Sequence, residues 1–198
     1  VDTAIEVPDG VVIDLNGKTL NWNVENSYFG TTTVRNGSII FGKDDVHTCD
    51  GYFLINEGKT LTIDGVNITS SANGMKCYAV FHLKTSAALD VKNSTIDVSN
   101  NEYAAGYIVY AGEATAKFDL TDSTMNSENV AGVVHAETTI TDSSVTIKGT
   151  GTMEHGINRS AVTITDSEVS ISGGTGRGIT AQHGDLVIEG NSEVTVYN

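Results

Sequence analysis

Helical periodicity is missing from this sequence: nowhere do apolar residues recur at three- and four-residue spacing over a dozen positions. No apolar run approaches the length of a membrane-spanning helix, so insertion into a bilayer is not expected. Proline occurs once and charged residues make up 18%, which excludes Pro-rich linkers, collagen-like repeats and a highly charged disordered tail. Cations are scarce, 11 against 25 acidic residues, for a net charge of −14. So few cations cannot build a phosphate-neutralising face, so neither nucleic acid nor an anionic membrane is an expected partner. An initiating Met and a signal peptide are also lacking. A single domain spanning residues 1–198, excised from a longer surface or secreted protein, is the expectation.

What is present is strict alternation, again and again. Ile13-Asp14-Leu15, Leu61-Thr62-Ile63, Leu89-Asp90-Val91, Phe118-Asp119-Leu120 and Val162-Thr163-Ile164 each put two apolar residues on one face of a short strand. A second strand follows each, among them Leu20-Asn21-Trp22, Ile96-Asp97-Val98 and Val169-Ser170-Ile171. Between the two lies one anchor: Gly17, Asn36, Gly65, Asn93, Asp122, Asp142, Asp166 or Asn191. All are Gly, Asn or Asp, the residues that best tolerate a left-handed backbone, as a tight corner requires. The last repeat, Val187-Ile188-Glu189, is one residue out of step, which a bulge would explain.

Anchors spaced 19 to 29 residues apart mean a solenoid with a constant corner and variable loops. No single repeat carries enough apolar surface to fold alone, so the repeats must stack. The expectation is all-β: a right-handed parallel β-helix of about eight coils, about 38 Å long. A third strand per coil falls on Tyr52 to Ile55, Tyr78 to Leu83, Tyr107 to Tyr110, Gly132 to Val134 and Gly178 to Ala181. Twelve residues before their anchors, Phe53, Phe81 and Tyr110 are expected to stack inside. Cys49 and Cys77 each lie sixteen residues before an anchor, hence on adjacent rungs. Either a disulfide or a stacked pair of buried thiols satisfies that placement, and two thiols alone make a poor metal site.

The phrases Val12-Ile13-Asp14-Leu15-Asn16-Gly17-Lys18-Thr19-Leu20 and Val162-Thr163-Ile164-Thr165-Asp166-Ser167 resemble those of bacterial adhesin-like surface proteins with pectate-lyase-like β-helices. The resemblance covers essentially the whole chain as a repeat grammar. It implies an extracellular or cell-surface location and contact with a glycan or host surface.

The outward ladder three residues before the anchors reads Asp14, Thr33, Thr62, Asp90, Asp119, Thr139 and Thr163. It makes Asp90 and Asp119 neighbours, with Asp97 across a corner. Such carboxylates suit a glycosidase acid and base, and Asp90 with Asp119 also suits a Ca²⁺ ion. The simpler reading is a solvated sheet face with no cofactor. The resemblance to pectate-lyase-like β-helices implies that a lyase would need a basic residue, and a polygalacturonase-like hydrolase a Gly-His-Gly element, beside these residues, and the register places neither there. His82, His135, His155 and His183 fall near the third strand and read as surface residues. Asp44, Asp45, His47 and Asp50 form a local acidic cluster. Gly173 to Gly178 is a loop excursion, since no helix follows to bind an anion. Tyr52, Tyr78, Tyr103 and Tyr107 are the aromatics expected to form a glycan surface, with core-facing tyrosines as the alternative. A display or adhesion module is the leading functional expectation, an enzyme or a passive stalk the others. At the last strand, Val194 to Asn198, the expectation is a missing capping domain or an end-to-end partner.

Overall fold

The computed structural model describes residues 1–42, 49–71, 77–98, 106–149, 155–173 and 176–197. Its elements are all β-strands, and every pairing between them is parallel. Eight strands stack as one face in an eight-stranded sheet, running from Glu6–Val7 through Ala79–Leu83 and Tyr107–Ala111 to Arg177–Thr180. The other two faces form a 14-stranded sheet, made continuous because Thr32–Phe41 and Thr60–Ser70 run through the corner without a break. The chain is therefore a parallel β-solenoid, and each of its rungs crosses the first, second and third faces in turn.

The corner between the first two faces is where the sequence grammar resides. Asn36, Gly65, Asn93, Asp122, Asp142 and Asp166 all have positive φ, between 47° and 65°. Each turns the chain so that the apolar pairs on both sides point inward. Directly after the last four of these anchors comes a serine, and the serines form a hydrogen-bonded column along the rod. The N–H groups of Ser94, Ser123 and Ser143 donate to the hydroxyls of Ser123, Ser143 and Ser167 at 3.0, 3.1 and 3.1 Å. Each of these hydroxyls in turn donates to a carbonyl two residues back in its own rung, for example Ser143 to Thr141 at 2.6 Å. A bent backbone cannot pair straight across, and the serines satisfy the groups it would otherwise bury unpaired.

The two end rungs have wider corners, and this corrects two expectations. Asp14 pairs with Arg35 and Val12 with Thr33, so Asp14 lies outside the Thr62–Asp90–Asp119 ladder. Four residues separate Asp14 from Thr19 where two separate Arg35 from Ser38, and both Asn16 and Gly17 take positive φ to fit them. Gly37 lies beneath this wide corner, where a Cβ would come within 2.6 Å of the Lys18 carbonyl oxygen. In the last rung Leu186–Glu189 pairs in step with Val162–Thr165, so there is no bulge in the strand. The positive-φ residue there is Gly190, at 66°, and Asn191 is the extra residue of the corner.

The core changes character along the rod. Trp22, Phe29, Phe53 and Phe81 fill the early rungs, with ring centroids 4.9 Å apart for Trp22–Phe53 and 5.2 Å for Phe53–Phe81. In later rungs the third face carries Gly132, Gly156 and Gly178, and a Cβ on Gly156 would lie 2.7 Å from Ile171 Cδ1. Side chains of the second face use that space, so the later rungs are filled from one side. Tyr110 is not part of the aromatic row. Val109 pairs with Phe81, and Tyr110 pairs with His82. The connection Gly112 to Ala116 is one residue longer than Lys84 to Ala87 on the rung before, so counting back from the anchor misses by one. Cys49 and Cys77 form a disulfide with Cα atoms 4.8 Å apart, which decides between the two sequence alternatives.

Candidate functional site

Of the exposed aromatics among the described residues, Tyr28 and Tyr78 lie on the third face and Tyr197 on the last strand of the second. Tyr78, at the lip of the strand Ala79–Leu83, is 44% exposed, and its ring meets Tyr107 edge-on at 5.0 Å and Tyr110 at 4.8 Å. Tyr107 and Tyr110 are partly exposed and lie three residues apart on the strand Tyr107–Ala111, centroids 5.5 Å apart. His82 packs edge-on against Tyr110 at 5.2 Å, and His135 follows at 5.8 Å on the next rung. Burial, above all, holds the Tyr110 phenol above its ordinary pKa, with neighbouring Tyr78 adding and Arg159 opposing.

This strip leads into a cleft of about 380 Å³ lined by Gly112, Glu113, Ala114, His135, Arg159, Gln182 and His183. His135 and Arg159 occupy the same corner on consecutive rungs, and both have positive φ, 68° and 74°. Bulky residues avoid that conformation, and where they hold it a functional reason is worth seeking. His135 Nδ1 donates to the Ala111 carbonyl at 3.1 Å, and its Nε2 accepts from Arg159 Nη1 at 2.9 Å. Both contacts fit only the neutral ring. Burial first, then the Arg159 and His183 charges, lower the His135 pKa accordingly, against the carbonyl contact that raises it.

Of the tyrosines proposed from sequence, the structure brings Tyr78 and Tyr107 together. Tyr52 is fully buried and packs on Phe41 with centroids 4.9 Å apart, so it is a core residue and no part of a surface. Tyr103 lies outside the described residues, as do Asp44, Asp45 and His47. Tyr110 and the His135–Arg159 pair were not among the proposed ligand-binding residues. Tyr110 had been counted into the core, and the histidines carried no spacing signal because their corner has variable length.

Asp90 and Asp119 are paired neighbours on the first face, as the ladder requires, and Asp97 lies on the second. Lys92 lies 3.4 Å from Asp90, so a basic side chain does stand beside this pair, contrary to the register count, because residues two apart share the outward face of the strand. Among the described residues, the one group whose metal-ligating atoms converge is Glu25 with Cys49 and Cys77, and its sulfurs are already in the disulfide. Burial, above all, raises the Asp119 carboxyl above its ordinary pKa. Asp90 and Glu137 add to this, while a hydrogen bond from Thr139 and the Lys117 charge oppose it. A carboxyl raised in the folded state stabilises the fold while protonated. That contribution is lost as the pH rises from the unfolded value through the folded one. Asp119→Asn keeps a side-chain acceptor for Thr139 and removes the charge. Thermal unfolding at neutral pH should therefore show Asp119→Asn more stable than the parent chain, with the gain disappearing in acid. A loss of stability at neutral pH would contradict this.

No family model, no curated protein and no solved structure matches the chain. Its fold and its surface are therefore read from its own residues.

Proposed function

We propose that this chain is a glycan-contacting β-solenoid module of an extracellular or cell-surface protein, displaying the Tyr78–Tyr107–Tyr110 strip as its contact surface. The observation that carries the reading is three tyrosine rings within 5.5 Å of one another at the edge of the third face, continuous with a polar cleft. Sugar rings stack their C–H faces on aromatic rings, and polar groups beside the ring select among hydroxyls. The disulfide supports an oxidising compartment, since such bonds persist outside the cytosol. The excess of acidic residues keeps the surface from binding nucleic acid indiscriminately. On a glycan array the chain is expected to be retained on a defined set of saccharides, and Tyr78→Ala to weaken retention about tenfold or more, the worth of one stacked aromatic contact. Tyr78 is 44% exposed and packs edge-on against Tyr107 and Tyr110, so the melting temperature should fall by only a few degrees and retention is compared well below it. A blank array, or retention indifferent to Tyr78, would leave a passive stalk as the better account.

A second reading takes its support from Asp119. A half-buried carboxyl whose pKa burial raises, beside the carboxyl of Asp90, is the kind of pair that glycoside hydrolysis uses. It requires release of reducing ends from a polysaccharide, lost in Asp119→Asn.

A further inference from the structure

We infer that the ligand of this surface is an acidic saccharide, held with its pyranose faces on the tyrosine strip and its carboxylate or sulfate on Arg159. The inference rests on the glycan reading above and adds the chemistry of the ligand.

The first ground is the bookkeeping of cations. Among the described residues Arg35, Lys59, Lys84, Lys92 and Lys117 each lie within ion-pair distance of a carboxylate of this chain. Among the described residues Arg159, like Lys18, Lys148 and Arg177, has no such partner, and of these four it alone lines the cleft. Among the described residues the one side-chain hydrogen bond of Arg159 is to neutral His135 Nε2, which takes one of five guanidinium N–H donors. Glu113 borders the same cleft without pairing to it. A guanidinium left in this way at the wall of a cleft, with a second imidazole, His183, beside it, can hold a planar acid group through two parallel N–H bonds.

The second ground is an unsatisfied donor. Asn158, next to Arg159, is 1% exposed, and its Nδ2 has no hydrogen-bond partner. Its Oδ1 is already taken by the Thr180 hydroxyl. The register Tyr110–Val134–Asn158 places it in the row that begins with the aromatic strip. Buried amides without an acceptor are uncommon in folded proteins, and this one belongs to the chain neighbour of the Arg159 that lines the cleft.

The third ground is geometry along the rod. Tyr78, Tyr110, His135, Arg159 and His183 follow one another on five consecutive rungs. At the usual strand separation the row spans about 19 Å. Tyr78 lies four register positions before Tyr110, so an extended oligosaccharide crossing these rungs obliquely would meet the tyrosine rings before Arg159. A short acidic peptide would satisfy Arg159 but would leave three adjacent rings without flat partners.

The test is calorimetric titration of the whole chain with tetrasaccharides of glucose, glucuronic acid and sulfated glucose. The acidic ligands are expected to bind at least tenfold more tightly than the neutral one, and the preference to shrink as salt is raised. Arg159→Gln should abolish the preference and leave neutral binding intact, whereas Tyr78→Ala should weaken all three alike. Arg159→Lys keeps the charge without the planar fork and should retain part of the preference, provided the variant melts like the parent. The carboxylate and sulfate arms show which acid group fits. Equal binding of acidic and neutral ligands would overturn the inference and leave the glycan reading standing. Binding of none of the three would contradict both.

Discussion

Phe81→Ala is expected to cost about 3–5 kcal/mol of unfolding free energy, the usual range for truncating a fully buried phenylalanine. Phe81 has no exposed surface, stacks on Phe53 at 5.2 Å, and lies between Phe53 and Val109 in the third-face register. Removing it opens a void that the parallel ladders on both sides cannot close, because every rung is hydrogen-bonded to its neighbours. In a solenoid the damage should also be directional: rungs are coupled mainly to their neighbours, so the variant should begin to unfold in parts. Urea unfolding followed by tryptophan fluorescence reports the early rungs, because Trp22 is the one tryptophan. Circular dichroism reports all rungs. The two transitions should separate in Phe81→Ala. A loss below about 1 kcal/mol would mean that Phe81 is not packed as described.

Reduction of the Cys49–Cys77 bond has an expected effect of similar size. The two residues are 28 apart in sequence, and closing a loop of that length is worth about 3–4 kcal/mol through the entropy of the unfolded chain. Both cysteines are buried, at 6% and 1% exposure, so a reductant should act slowly on the folded chain. Once reduced, the chain should melt at a lower temperature than the oxidised form. Cys49→Ala/Cys77→Ala should match the reduced protein, because alanine at both positions leaves no buried polar group behind. Equal stability of the oxidised and reduced forms would show that the bond merely decorates adjacent rungs.

The parts of this architecture that were legible in the sequence are those set by one local rule. The corner anchors give the first two faces because a residue that tolerates positive φ must recur wherever the chain turns, and Asn93, Asp122, Asp142 and Asp166 do so. The row four residues after each anchor, Asn21, Ile40, Thr69, Asp97, Asn126, Thr146, Ser170 and Thr195, follows from the same rule and pairs in step along the second face. Cys49 and Cys77 were placed on adjacent rungs by counting from the anchors, and they are. Counting failed where an insertion intervened: one extra residue after Ala111 moved Tyr110 from the core to the surface strip. Two extra residues in the first corner moved Asp14 out of its ladder. The serine column leaves no periodic signal of its own in the sequence, because its partners are the N–H groups of other rungs. The His135–Arg159 pair had no signal at all. It exists only because two corners of unequal spacing stack, a fact of three dimensions.

Direct contact between sugar and tyrosine rings is the central claim, and saturation-transfer NMR on the chain with the glucuronic acid tetrasaccharide measures it. Irradiating the aromatic protons should carry saturation to the sugar C–H protons, and Tyr78→Ala should remove most of that transfer at the same ligand concentration. Binding that receives no saturation from aromatic protons, or transfer that survives Tyr78→Ala unchanged, would contradict the account.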